Sequence, residues 1–408
     1  MNAVRAAVSA TVGGGRPGSR RAWRIVAALA VTQTIGYGVL YYAFSVFLAP
    51  MQRDLHASGT QVAGAFTLAV LATALCAPLV GRWLDAHGGR GLMSAGAVLG
   101  TLAVLAWSRV ENLAQLYAVF AAVGVASAMV LYEPAFAVVV DWFDAAKRPD
   151  ALLVLTIVAG FASSIFLPLS GVLAEYFGWR QALAVLAVLY GITAIPLHGL
   201  VVRRRLVPAS QKAATVRERT RIARAAIRGR PFWLLATAFT GHSAAVATIA
   251  LLLITYLVHL GHRPVFAAAV AGLLGVLSVT GRLVTTRMQR RSPVAVIAAA
   301  IFTLQALAAL LLPLIGHSVA GAVGCVLLFG LGFGVATITQ PQLLTARYGT
   351  TAYATMAGRI AFFSITAKAT APLGAVALAQ AAGYGWVMAA VAAGCGIAAS
   401  ALLIYHRL

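Results

Sequence analysis

The sequence predicts an all-α membrane protein of twelve transmembrane helices, divided six and six by a central polar linker. Three observations predict it. Of 408 residues, 61% are hydrophobic and 10% are charged, whereas a soluble domain is about 45–50% apolar and about 25% charged. Twelve apolar runs follow one another, each long enough to cross a core of about 30 Å at about 1.5 Å per residue. Lys and Arg are divided unequally between the two sets of connecting loops. Together these exclude a soluble enzyme, a disordered chain and a disulfide scaffold. None of the runs alternates with the period of a barrel strand.

Residues 1–23 are rich in Gly, Ser and Arg, with Gly13-Gly14-Gly15, and read as a flexible cytoplasmic arm. They make a poor signal peptide, because the apolar run that follows is too long and no small-residue cleavage site stands out. Spans 1 to 6 are expected at 25–48, 61–80, 92–108, 114–138, 151–173 and 181–201, within an N-terminal bundle at 24–202. A basic cytoplasmic linker at 203–231 separates them from spans 7 to 12. Those are expected at 232–258, 265–286, 293–315, 319–342, 352–378 and 385–404, within a C-terminal bundle at 232–408.

The orientation follows from the loops. Of 31 Lys and Arg, 24 fall on the side that carries both termini and the linker, and 4 (Arg53, Arg109, Arg180, Arg263) fall on the other. A positive-inside bias of this size places both termini in the cytoplasm and the protein in the cytoplasmic membrane. It also explains the net charge of +22 through the lipid surface, with no nucleic acid. The stretch 217–230 reads as a basic amphipathic helix, either a solvated linker, a helix lying on anionic lipid or a partner site. Cys76, Cys325 and Cys395 lie inside apolar runs without metal-ligand spacing, so neither a metal nor a disulfide is implied.

Between spans 2 and 3 stands Gly81-Arg82-Trp83-Leu84-Asp85-Ala86-His87-Gly88-Gly89-Arg90, a G-x-x-x-D-x-x-G-x-R pattern. A tight connection between membrane helices needs glycines, and a carboxylate there can bind a helix N-terminus or an Arg. The motif, with twelve spans in a six-plus-six layout, resembles the major facilitator superfamily over almost the whole chain. That resemblance implies two pseudo-symmetric bundles, and a conformational latch at Gly81, Asp85, Gly88 and Arg90. The corresponding loop after span 8, Thr286-Arg287-Met288-Gln289-Arg290-Arg291, lacks the glycine and the aspartate.

Ionisable residues within spans point to function, because the bilayer makes them costly. Of nine acids, Glu133 in Tyr132-Glu133-Pro134 of span 4 is the one inside a span. It reads as a proton site or as the partner of a neighbouring Arg. Lys368 lies about sixteen residues into span 11, about 24 Å along the axis, which is too deep for easy snorkelling from the cytoplasmic end. It reads as a cation facing a central cavity. Arg282 in span 8 either faces the same cavity or snorkels, and Arg359 is interfacial. A buried cation without a partner costs several kcal/mol, so more cations than acids favours an anionic solute. Lys368 in Ala-Lys-Ala and Arg282 in Gly-Arg resemble the cation pair of the oxalate/formate antiporter family, and monocarboxylate transporters share the span 8 Arg. Supporting segments are Gly36-Tyr37-Gly38-Val39-Leu40-Tyr41-Tyr42, Trp142-Phe143 with Lys147-Arg148, and Gly178-Trp179-Arg180. Ser278 stands where monocarboxylate transporters typically place an Asp, and their acid-glycine motif in the first span is absent.

Tyr37, Tyr41 and Tyr42 are aromatic packing or phenolic donors to an anion. Gln33 joins them as a candidate, and His242 of span 7 is either a satisfied interhelical histidine or part of the site. Gln340-Pro341-Gln342 reads as a gate or a helix break. No phosphate-binding G-x-x-x-x-G-K-[ST] occurs, span 5 lacks the Gly-Pro pair of drug/proton antiporters, and no nucleophile–base pair supports an enzyme. The expectation is a monomeric secondary transporter without a cofactor. Its solute is a small carboxylate, bound by Lys368, Arg282, Tyr37, Tyr41, Tyr42, Gln33 and His242. Glu133 serves proton symport, or one anion exchanges for another. Drug or metabolite efflux by proton antiport, and a non-transporting sensor or scaffold, are the alternatives.

Overall fold

The computed structural model describes residues 17–202, 209–289 and 291–408. Most of the expected arm, the arginines at 203–205 and Arg290 lie outside the described residues. Within them the chain is almost entirely helical, and every expected apolar run falls on helix, some of them in separate pieces. Ten helices are long and apolar enough to cross a membrane. One of them, Arg148–Val201, holds two spans joined at Gly178, whose φ of 75° turns the chain. Span 10 adds the twelfth, since its far part, Val319–Gly330, is too short to count alone.

Four spans are interrupted. Span 1 widens by one turn of π-helix at Gly38–Tyr42 between Pro17–Tyr37 and Ala43–Asp54. Span 4 breaks at Leu131, which is extended (φ −78°, ψ −155°) between Leu113–Val130 and Tyr132–Trp142. Pro134 sits in the first turn of the second piece, where its missing N–H is harmless. Span 5 is offset at Phe161, after Arg148–Gly160. Span 10 stops at Gly330 and resumes as Ala336–Tyr348.

Backbone freed by a break must be satisfied within the protein at membrane depth. At span 4, Gln33 Nε2 donates to the Val130 carbonyl at 2.6 Å. At span 10, Gln305 Nε2 donates to Phe329 O (2.9 Å), His242 Nε2 to Gly332 O (3.3 Å) and Arg282 Nε to Gly334 O (3.2 Å). A carbonyl only accepts, so His242 carries its proton on Nε2.

The buried core shows how the bundles meet. On the side that carries the linker, one core runs through both bundles, from Leu29, Val80 and Leu155 to Phe232, Phe302, Met356 and Leu402. On the far side there are two cores, one around Phe47, Trp107 and Tyr190 and one around Leu253, Phe329 and Met388. The seam on the linker side is a crossing of spans 2 and 11. A methyl group at Gly81 would strike the Ala354 carbonyl, and one at Gly358 would strike the Ala77 carbonyl. Their closeness depends on small residues. The protein is therefore sealed on the linker side.

The linker forms a helix, Ala209–Arg228, leading into span 7. Arg219 Nε donates to Thr351 O at 3.1 Å, and Arg359 of span 11 donates to Ala223 O at 3.2 Å, so this helix is pinned beneath the seam. Arg221 forks onto Glu218 at 2.9 and 2.7 Å and holds that carboxyl below its usual range.

Candidate functional site

Above the seam, between the bundles, lies a cavity of about 230 Å³. Its walls come from spans 1, 2 and 4 of one bundle and spans 7, 10 and 11 of the other. Lys368 stands in it with its side chain exposed to the space. Its Nζ lies 5.1 Å from the centroid of the Tyr41 ring, a cation–π contact. Among the described residues the ion pairs are Arg180–Asp54 and Arg221–Glu218, so no carboxylate neutralises Lys368 directly.

Glu133 opens onto the same cavity from the first turn of the resumed span 4. Gln340 occupies a corresponding place on the resumed span 10, and each precedes a proline, Pro134 and Pro341. Among the described residues Glu133, Gln340 and Ser243 spend no side-chain hydrogen bond on the protein, which leaves them available to a solute. Aromatic rings line the rest. Tyr37 packs on Tyr132 with centroids 4.6 Å apart, and Tyr41 packs on Phe66 at 5.1 Å. Gly38 makes room for this wall, because a methyl there would overlap the Phe166 ring.

The structure gathers Lys368, Tyr37, Tyr41 and Glu133 around one space and leaves four other candidates outside it. Tyr42 sits one layer back, its ring 5.3 Å from that of Tyr41. Gln33 is fully buried and bonded to Val130, and His242 is buried, bonded to Gly332 and stacked on Phe302 at 4.1 Å. Arg282 is 7% exposed and does not snorkel. It donates Nε to Gly334 O, and Nη1 at 3.1 Å to Thr156 O across the bundle interface. Gln33 and Arg282 were candidates for the solute, and His242 takes the interhelical reading offered for it. Carbonyls at the breaks of spans 4 and 10, and Thr156 O of span 5, accept from them. Tyr132, Phe66, Ser243 and Gln340 were not named for the site. The polar-proline pairs Glu133-Pro134 and Gln340-Pro341 were the signal that would have found two of these positions' neighbourhoods together.

At the latch, Asp85 Oδ1 accepts from Ala354 N (3.1 Å) and Oδ2 from Thr355 N (2.7 Å). The carboxylate thus caps the N-terminus of span 11, where the helix dipole favours negative charge. Gly88, at φ 78°, makes the turn into span 3. Arg90 is exposed and takes no part in the contact.

Two helical bundles around one central cavity, sealed on one side, have the architecture of a multi-pass membrane transporter. The chain belongs to the Major Facilitator Superfamily, whose family model matches residues 26–365. It is 26% identical over 397 residues to an MFS-type transporter of Gibberella moniliformis, covering 94% of this chain and 89% of that one. It is 32% identical over 306 residues to an MFS-type efflux pump of Mycolicibacterium smegmatis, covering 72% and 69%. Its fold matches the crystal structures of the human organic anion transporter MFSD10 (TM-score 0.69, 16% identity, 96% of this chain and 100% of that one) and of the E. coli fucose:proton symporter FucP (0.72, 14%, 93% and 98%). The protein is a multi-pass membrane transporter of small molecules.

Proposed function

We propose that this transporter moves a small carboxylate across the cytoplasmic membrane, with both termini and the linker in the cytoplasm. The observation that carries the reading is Lys368, a cation at membrane depth in the cavity with no carboxylate bonded to it. A carboxylate on the solute supplies the missing charge. Tyr41 shields the ammonium from one side, while Tyr37, Tyr132, Gln340 and Ser243 offer walls and hydrogen bonds. The volume of about 230 Å³ lies below the range of about 300–1,000 Å³ typical of drug-sized ligands, which favours a solute of a few carbons.

Charge balance supports proton coupling through Glu133. With the cavity empty, Lys368 and ionised Glu133 sum to zero. With a monocarboxylate bound and Glu133 protonated, the sum is again zero. One anion and one proton moving together keep the cavity neutral in both loaded and empty states, which spares the cost of carrying net charge through the bilayer. Anion exchange is the other coupling compatible with Lys368.

The test is uptake of labelled oxalate, formate, lactate and pyruvate into proteoliposomes, with and without a pH gradient. Truncating one member of a buried charge pair costs about 2–5 kcal/mol, so Lys368→Ala should weaken carboxylate uptake by about 30-fold or more in affinity. Glu133→Gln should abolish the response to the pH gradient while leaving exchange. Uptake untouched by Lys368→Ala removes that residue as the anion anchor.

Efflux of an amphipathic metabolite by proton antiport is the second reading. It is favoured by the 32% identity to a protein named an efflux pump and by the aromatic lining of the cavity. It predicts no uptake of any of the four acids, and proton-driven export that tolerates Lys368→Ala.

A further inference from the structure

Arg282 is a deeply buried intramembrane cation that the cavity does not use. Its span, Pro264–Met288, packs against the piece of span 5 on the linker side, Arg148–Gly160, and not comparably against the far piece. The guanidinium lies in that interface, 7% exposed. It bridges two carbonyls of different origin. Nε bonds Gly334 within its own bundle, in the interruption of span 10, and Nη1 bonds Thr156 in the opposite bundle. Two glycines form its slot. A methyl group at Gly334 would come within 2.6 Å of Nε and 2.8 Å of Cζ, and one at Gly160 would sit 3.5 Å from Nη1.

We infer that Arg282 is a positioning residue, a tie between the bundles that holds the transporter sealed on the linker side and joins the interruption of span 10 to span 5. A buried guanidinium needs its acceptors, since an unmet charge there is costly. One acceptor belongs to the other bundle and is available only while spans 5 and 8 meet on the linker side. When the bundles part there, Thr156 O withdraws and Arg282 keeps Gly334 O alone. Span 10 carries Thr337 and Gln340 into the cavity just beyond Gly334, and Thr337 Oγ1 shares that carbonyl at 2.7 Å. A change at the tie therefore reaches a wall of the cavity. Arg282 sets which side is open rather than gripping the solute.

The experiment measures the far-side separation of the two tied spans without any solute. Tyr176 and Val265 are 76% and 83% exposed at the far ends of spans 5 and 8. Spin labels at cysteines placed there, in a background lacking Cys76, Cys325 and Cys395, report a long distance when the far side is open and a short one when it closes. The wild type should populate the long distance. Loss of one charge-assisted hydrogen bond should move the ratio of the two populations about ten-fold toward the short distance in Arg282→Gln. Gly334→Ala should move it the same way by crowding the guanidinium, with Arg282→Lys between wild type and Gln. Gly334→Ala keeps the charge, so the test survives if Arg282→Gln fails to fold. Unchanged distributions in the folded variants, or a wild type already at the short distance, overturn the inference. An unchanged distribution with carboxylate uptake lost in Arg282→Gln would make Arg282 a solute ligand instead.

Discussion

Replacing Asp85 by alanine removes two acceptors at once from the first turn of span 11. Both are bonds from backbone N–H to a carboxylate, at 3.1 and 2.7 Å. A hydrogen bond to a charged group contributes about 1.5–3 kcal/mol net. Asp85 is half-buried at the rim of the seam, where water regains access on opening, so the lower end applies and the pair holds the seam by about 3 kcal/mol. At about 1.4 kcal/mol per decade that is about 100-fold in the ratio of sealed to open protein. Asp85→Asn keeps one acceptor oxygen and loses the charge that suits a helix N-terminus, and should fall between, at about ten-fold. The assay uses a single cysteine at Ala357, 1% exposed within the seam, and a membrane-impermeant maleimide applied from the linker side. Its labelling rate follows the open fraction. Asp85→Ala should speed labelling by about two decades and Asp85→Asn by about one. Equal rates in wild type and both variants would refute the reasoning, since the carboxylate would then not hold the seam.

Gly358→Leu should act in the same direction by another route. The side chain would meet the Ala77 carbonyl, so the seam cannot close, and the Ala357 reporter should label quickly while solute accumulation is lost. Trp179→Phe removes the 2.7 Å bond from the indole Nε1 to Asp54 on the far side. Arg180 remains beside Asp54 at 3.8 Å as a partly exposed pair of small worth, so the variant should lose about 1 kcal/mol, read as a lower thermal midpoint with transport retained. Gln305→Leu removes the side-chain donor from the Phe329 carbonyl of span 10, which keeps the Gly332 N–H at 3.2 Å. It should cost about 0.5–1.5 kcal/mol in the same thermal measurement; an unchanged midpoint would mean that the backbone bond alone satisfies that carbonyl.

Most of the fold was legible in the sequence because a bilayer leaves few choices. An apolar run of about 20 residues must be a helix there, since no other local structure satisfies its own backbone. The interruptions were less legible. Gly38–Tyr42 reads as an ordinary helical run, and nothing in it signals the π turn or the closeness of the Phe166 ring to Gly38 from another span. Leu131 carries no break signal of its own, although Pro134 three residues on marks the restart. Placement in the cavity was legible where a charge had no competing partner, as with Lys368 and Glu133. Gln33 and Arg282 lie elsewhere, and His242 takes the interhelical reading, because backbone carbonyls at the breaks of spans 4 and 10, with Thr156 O of span 5 for Arg282, accept from them. A sequence shows polar side chains within spans, but not the carbonyls that absorb them.

That absorption changes the charge arithmetic of the proposed site. Counting from the sequence set three intramembrane cations against one acid. In the structure Arg359 is spent on the linker helix, and Arg282 on the span 5 and span 10 carbonyls. Among the described residues, Lys368 and Glu133 face the cavity as a cation and an acid of opposite charge. On the carboxylate proposal, one cation balances one anionic group. A monocarboxylate with a proton on Glu133 leaves the loaded cavity neutral, whereas a dianion leaves it one negative charge in excess. Carrying that excess through the bilayer is costly. Formate, lactate and pyruvate should therefore be taken up in preference to oxalate under an inward proton gradient. Oxalate should move only against a counter-anion. Preference for oxalate over the three monoanions, with the gradient imposed and no counter-anion, would mean that a second positive charge enters the cavity when solute binds, and Arg282 would be the residue to supply it.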